Sequence, residues 1–181
     1  MKLRKDKWEK VKFGDFVNHI EKTETNPEKR QNARYVSVEH IESGNFKIKN
    51  WFEVEMPTFF RIFHKGQILF GKRRAYQKKV AIADFDGICS PHIWALNVKN
   101  ANLYQDFLPY LMLSDNFYSY VNANSAGTMS PYLKWPQLSN FEFSLPLLSE
   151  QKQIAALFQS IETAMEQVEG QEKNLKSLRK S

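Results

Sequence analysis

The sequence predicts an α+β protein: a mixed or antiparallel sheet with short helices, then one long C-terminal helix. Three observations predict it. Short aromatic and β-branched runs are punctuated by Gly, Asn and Asp, which is a strand signature. No helix-length periodic segment separates these runs, which argues against a doubly wound parallel sheet. From Ser149 onward the pattern changes to apolar residues stepping alternately by three and four. The chain has 181 residues, 42% hydrophobic and 25% charged. Those are globular proportions and about one domain's length, with room for one further element.

The elements follow in chain order. Tyr35-Val36-Ser37-Val38 with Ile41 reads as strand, followed by a turn at Ser43-Gly44-Asn45 and a second strand at Phe46-Lys47-Ile48. Gln67-Ile68-Leu69-Phe70 reads as a buried strand, Val80-Ala81-Ile82-Ala83 as another closed by Asp86-Gly87, and residues 93–98 as a third. Residues 103–122 suit a short helix or a pair of helices. Asp106 is the expected cap, Pro109 fits the first turn, and Phe107, Leu108, Leu111 and Met112 supply the apolar face. Residues 122–134 are small and polar and read as an exposed loop. Phe141-Glu142-Phe143-Ser144-Leu145 alternates as a last strand, ended by Pro146. Phe13, Phe59, Phe60, Trp94, Phe141 and Phe143 are expected in the core.

The terminal segment is a helix with Ser149 as its expected N-cap and Glu150 and Gln151 in the first turn. Ile154, Leu157, Ile161, Ala164, Val168, Gln171, Leu175 and Leu178 form a heptad seam, apolar at every position except Gln171. Such a seam calls for a partner helix. The expected division is a domain over residues 1–148 and a helix over 149–181. Gly170 weakens an isolated helix by roughly 1 kcal/mol, so packing must hold it.

The chain offers little for catalysis. Phe70-Gly71-Lys72 lacks the earlier glycine and the following Ser or Thr of a phosphate loop. No Asn-Pro-Pro-aromatic motif of amino-methyltransferases and no glycine-rich cofactor loop is present. His19, His40, His64 and His92 have no metal-ligand spacing to each other or to Cys89, the single cysteine. His92 and Cys89 read as structural residues. No internal disulfide can form, no apolar run approaches the roughly 20 residues of a membrane span, and the charged N-terminus has no secretory pattern. A cytoplasmic location without membrane contact is expected.

Charge points to a polyanion. The formal net charge is +6. Residues 61–80 contain seven basic side chains and no acid, residues 1–34 carry +4, and residues 150–181 balance to zero. Lys72-Arg73-Arg74-Ala75-Tyr76-Gln77-Lys78-Lys79 directly follows a strand. Arg and Lys contact phosphates or the guanine edge, Gln pairs with adenine, and Tyr76 can pack on a sugar. The loop containing Ser125, Gly127, Thr128, Ser130, Tyr132 and Lys134 adds hydroxyl groups and a glycine that permits close backbone approach. Lys29, Arg30 and Arg34 form a third basic stretch.

These motifs resemble those of the specificity (S) subunits of type I restriction-modification systems. The opening Trp8-Glu9-Lys10-Val11-Lys12-Phe13-Gly14-Asp15 is similar to the family's Trp followed by Leu/Phe-Gly-Asp. Residues 35–46 resemble its Tyr-hydrophobic segment, which ends in Gly-Asn. Lys65-Gly66-Gln67-Ile68-Leu69-Phe70 resembles its Lys-Gly-Asp-hydrophobic-Leu element, with Gln67 in place of Asp. Ala126-Gly127-Thr128 matches a later loop. The most specific piece is the junction Leu145-Pro146-Leu147-Leu148-Ser149-Glu150-Gln151-Lys152-Gln153-Ile154-Ala155, in which Leu147 replaces the family's second proline.

The resemblance implies a non-catalytic subunit. Each target recognition domain of the family reads one half of a bipartite sequence in double-stranded DNA, and each is followed by a long conserved helix. Two such units, fused, pair their helices antiparallel and dock methyltransferase (M) subunits, which carry S-adenosylmethionine, and through them the restriction (R) subunit. This chain holds one domain and one helix. The expectations are therefore no cofactor of its own, DNA contacts from the three basic or hydroxyl-rich stretches, and a homodimer through Ile154, Leu157, Ile161, Ala164, Val168, Leu175 and Leu178. The competing readings are a coiled-coil adaptor whose basic face binds RNA or an acidic protein, and a fragment of a fused nuclease-methyltransferase.

Overall fold

The computed structural model describes residues 3–30, 33–53 and 61–179. Phe59 and Phe60, expected in the core, lie outside the described residues, as do Gln31 and Asn32 of the third basic stretch.

The chain begins with β1 (Glu9–Lys12), the single-turn helix α1 (Phe13–Phe16) and β2 (Val17–Ile20). Next come α2 (Pro27–Arg30), β3 (Arg34–Val36), β4 (Phe52–Glu53), β5 (Arg61–Phe63) and β6 (Ile68–Gly71). Strands β7 (Val80–Ile82), β8 (Gly87–Cys89) and β9 (Ile93–Val98) follow. The helices α3 (Leu108–Leu113), α4 (Asp115–Asn124) and α5 (Trp135–Ser139) precede β10 (Glu142–Leu145) and the long α6 (Leu148–Leu178).

A central four-stranded sheet has the order β2-β9-β6-β7, and a second has the order β4-β3-β8-β5. A two-stranded ribbon joins β1 to β10. Pairing is antiparallel except for β3 with β8. The fold is α+β with mixed and antiparallel sheets, as the sequence predicts.

The central sheet is covered on both faces, which explains why its strands read as unbroken apolar runs and do not alternate. Ile68, Phe70, Trp94 and Leu96 face a core closed by Phe13, Leu108, Met112, Phe117, Leu138 and Phe141. Leu69, Ala81, Ile93 and Ala95 face a second core, shared with Val36, Phe63 and Cys89 of the other sheet. Phe13, Trp94, Phe141 and Phe143 are core residues as expected.

Several expectations need correction. Ile41 is not in a strand: Val38–His40 forms a 3-10 turn, capped by the Ser37 hydroxyl accepting from Glu39 N–H. Residues 46–48 make one isolated bridge, Lys47 to Ile82, and no ladder. Asp106 caps nothing, because its carboxylate accepts from the Tyr104 hydroxyl at 2.9 Å. Ser114 is the cap instead, accepting from Phe117 N–H at the start of α4. That helix runs to Asn124, so the polar loop begins later than residue 122. The N-cap of α6 is Leu147 and not Ser149. The Glu150 carboxylate takes the capping role, accepting from Leu147 N–H at 3.2 Å.

The start of α6 is tied firmly to the domain. Glu150 also accepts from Arg4 N–H at 2.6 Å and Trp8 Nε1–H at 2.9 Å. Gln151 is fully buried. It accepts from Tyr104 N–H at 2.7 Å and donates to the carbonyls of Asn102 and Pro146, both at 2.8 Å. Farther along, Phe158 stacks on Tyr110 with ring centroids 4.8 Å apart, and Lys47 pairs with Glu166 at 2.6 Å. Beyond these contacts the helix is exposed. Among the described residues, no helix is long and apolar enough to cross a membrane.

Candidate nucleic-acid interface

The eight residues between β6 and β7 make a closed excursion. Gly71 N–H donates to Lys79 O at 3.0 Å across its mouth. A 3-10 turn, Ala75–Gln77, forms its tip and buries Ala75 as a plug. Arg74 (φ 51°) and Lys78 (φ 54°) flank that turn in the left-handed region. The region disfavours residues with a Cβ by roughly 1–2 kcal/mol each, so surrounding contacts must hold them. Arg74 N–H donates to Pro131 O at 2.7 Å, and Lys78 lies 4.9 Å over the Tyr118 ring.

Pro131 belongs to the second polar loop. Ala126 and Tyr132 exchange two backbone hydrogen bonds at 3.0 and 2.9 Å, and Gly127 turns the chain at φ +100°. The two loops are zipped together: Leu133 N–H donates to Lys72 O at 2.9 Å, and Arg73 bridges Tyr132. Arg73 Nε also donates to Ser130 Oγ at 2.7 Å. One surface therefore presents the exposed side chains of Arg73, Arg74, Tyr76, Thr128, Tyr132 and Lys134, with Lys72 and Ser130 half-buried at its seam.

The structure adds groups that the sequence reading passed over. Arg73 Nη1 donates to His92 Nε2 at 3.2 Å. Lys72 Nζ lies 5.1 Å over Trp94, and His19 packs on Trp135 with centroids 4.3 Å apart. Arg61 pairs with Glu21 at 2.7 Å. Burial, then the nearby Arg61, pushes the Lys72 ammonium below its usual range. Burial lowers His92, reinforced by Arg73 and Lys72. Burial lowers His19 as well, partly offset by Glu21. The thiol of Cys89 is pushed up to about 12 by burial, which leaves it a packing residue.

Residues 5–177 match the family model described as the type I restriction modification DNA specificity domain. The chain belongs to that family. It is 28% identical over 170 residues to the type I restriction enzyme EcoDI specificity subunit of Escherichia coli, covering 92% of this chain and 37% of the relative. It is 35% identical over 68 residues to the MjaVIII specificity subunit of Methanocaldococcus jannaschii, covering 38% of this chain and 16% of that one. The crystal structure of the HsdS subunit from Thermoanaerobacter tengcongensis superposes with a TM-score of 0.73 at 25% identity, over 93% of this chain and 45% of that chain. The S subunit from M. genitalium shares the fold, with a TM-score of 0.62 at 19% identity, over 92% of this chain and 42% of that chain. The chain spans less than half the length of these relatives.

Not every residue singled out from the sequence reaches the zipped surface of this specificity domain. Lys79 turns inward and donates to Val38 O at 2.8 Å. Lys78 sits 3.7 Å from Asp115 and Gln77 is half-buried. The Ser125 hydroxyl is spent on Val121 O at 2.8 Å. Lys29 and Arg30 close α2, while Arg34 lies on the second sheet with its guanidinium 4.5 Å from Trp51 and 4.7 Å from Phe85. Along α6, Leu157, Ile161, Ala164, Val168, Leu175 and Leu178 are exposed. Ile154 packs instead against the domain's own core. Among the described residues, no group of three His, Cys, Asp or Glu side chains is placed to hold a metal ion.

Proposed function

We propose that this specificity domain reads one half of a bipartite DNA target through the zipped loops at residues 72–76 and 126–134, and that it is not itself an enzyme. The observation that supports the reading is the pairing of Lys72, Arg73 and Arg74 with residues 130–133. It gathers cations and hydroxyl groups that lie about 60 residues apart in sequence onto one exposed surface. Cations there position the duplex by its phosphates, and hydroxyl and guanidinium groups reach base edges. Methyltransferase subunits, which supply S-adenosylmethionine, dock on the chain and bring the restriction subunit with them. The exposed stripe of α6 pairs two copies. Such an assembly works in the cytoplasm, where its DNA is.

Duplex binding by the chain reconstituted with its methyltransferase tests this. The wild type should select a sequence and show a steep salt dependence. Arg73→Ala with Arg74→Ala should weaken binding by about 1–3 kcal/mol per lost base-edge contact and flatten the salt slope. Unchanged affinity and slope would overturn the assignment. Equal affinity for RNA and unrelated DNA would support the adaptor reading instead.

A further inference from the structure

We infer that Arg73 is a guanine-reading residue whose guanidinium is held in plane by Ser130 and His92, so that His92 is a positioning residue for sequence specificity. The inference rests on the DNA-recognition reading above. An arginine that only neutralises phosphate needs no fixed orientation, and an exposed one is usually mobile. Arg73 is exposed, yet its Nε donates to Ser130 Oγ at 2.7 Å and its Nη1 to His92 Nε2 at 3.2 Å. Both anchors are themselves fixed. Ser130 lies in the loop closed by Ala126 and Tyr132, and His92 N–H donates to Ser90 Oγ at 3.2 Å just before β9. Holding the guanidinium by Nε and by a single Nη1 hydrogen leaves Nη2 and the second Nη1 hydrogen available as a donor fork. Two parallel donors at that spacing match N7 and O6 of guanine in the major groove.

The chemistry fixes the state of His92. A guanidinium has no lone pair, so Nε2 must accept and the ring must be the neutral Nδ1–H tautomer. The charged groups facing the ring are Arg73 and Lys72, both basic, and each disfavours its protonation. His92 is thus held neutral through the physiological range. Protonation would turn both ring nitrogens into donors and set the imidazolium against Arg73. Discrimination for guanine should therefore be present at neutral pH and lost as pH falls below the ordinary histidine value.

The test uses the full chain and a pool of duplexes with a randomised core, from which the wild type selects a preferred sequence. Replacing guanines in that sequence one at a time by 7-deazaguanine removes N7 alone. At one position the wild type should lose at least about tenfold in affinity, and Arg73→Lys should lose nothing further there while keeping salt-dependent binding. His92→Leu should abolish discrimination at the same position. His92→Gln, whose amide oxygen still accepts, should restore it and remove its loss in acid. That last comparison separates His92 from His19, which also titrates near Lys72. A selected sequence that is indifferent to 7-deazaguanine at every position, or an Arg73→Lys variant that weakens all duplexes alike, overturns the guanine assignment and leaves DNA recognition standing. A His92→Gln variant that discriminates no better than His92→Leu overturns the positioning role. A wild type that selects no sequence overturns the underlying reading, and this inference with it.

Discussion

A Cβ on Gly14 would sit 2.6 Å from Ser139 Cβ and 3.0 Å from Ser139 O. The Phe13-Gly14-Asp15 element therefore has a physical cause: α1 lies backbone-to-backbone against α5, with Phe13 fully buried beside it. Gly170, near the exposed end of α6, has nothing within 4 Å of its missing Cβ. The two glycines should respond to the same substitution with opposite signs. Gly14→Ala should destabilise the domain by about 1–3 kcal/mol, as forced overpacking does, read from a shifted urea midpoint at constant slope. Gly170→Ala removes a propensity cost of about 1 kcal/mol and should raise helix content by circular dichroism. A neutral Gly14→Ala would mean that α1 and α5 separate at little cost. Single residues also explain which parts of the proposed interface are readable in the sequence. Lys72, Arg73 and Arg74 announce themselves by charge. His92 does not, because the role proposed for it rests on a contact with Arg73 across 19 residues that no local pattern encodes.

At the scale of elements, the junction of β10 with α6 holds the domain to its helix. Gln151 is buried with both of its amide hydrogens and its carbonyl oxygen bonded to backbone groups of residues 102, 104 and 146. Gln151→Ala should cost about 2–3 kcal/mol, because buried partners are left unsatisfied. Glu150 adds a pH dependence. The Arg4 N–H, with further help from Trp8 and Leu147, holds its carboxyl below its ordinary 4.5 despite burial. A depressed folded value means the contribution is complete above the unfolded value and is lost as pH falls through the folded one. Stability should therefore decline in acid below pH 4.5, and Glu150→Gln should lower it at neutral pH while flattening that decline. An unchanged acid profile in Glu150→Gln would assign the decline to other carboxylates. The sequence exposes this junction as a motif but not its distant partners at residues 4, 8, 102 and 104, which lie about 50 or more positions away. The same distance hides other elements. Strand β1 has only Val11 partly buried, and its pairing to β10 spans most of the chain. Strand β8 is short and pairs parallel with β3. By contrast β6 and β9, buried on both faces, are legible as apolar runs.

At the scale of the whole molecule, the terminal helix sets the arrangement. At 31 residues, α6 is about 46 Å long, and its first turns are committed to the domain through Gln151, Ala155 and Phe158. The stripe beyond is not: Leu157 is 48% exposed, Ile161 45%, Met165 60%, Val168 59%, Leu175 61% and Leu178 72%. Fully burying one such side chain is worth roughly 1.5–3 kcal/mol, and several together compete with an association cost on the order of 4–15 kcal/mol. The proposed partner is a second copy, which supplies the same stripe. In an antiparallel pair Ala164 and Val168 meet at the crossing, where small side chains allow close approach, and the free end of each helix runs back toward the other's domain. The anchored first turns then place two identical reading surfaces at opposite ends of the pair. An isologous pair reads the same sequence twice in opposite orientation, so the target should be an interrupted palindrome. Sedimentation should give a dimer at micromolar concentration and a monomer for Ile161→Glu with Val168→Glu. That variant should retain the domain's fold, because neither residue touches the core. A monomeric wild type, or a variant that still dimerises, would remove the two-fold arrangement, and selection of a sequence without a palindrome would remove its consequence for DNA.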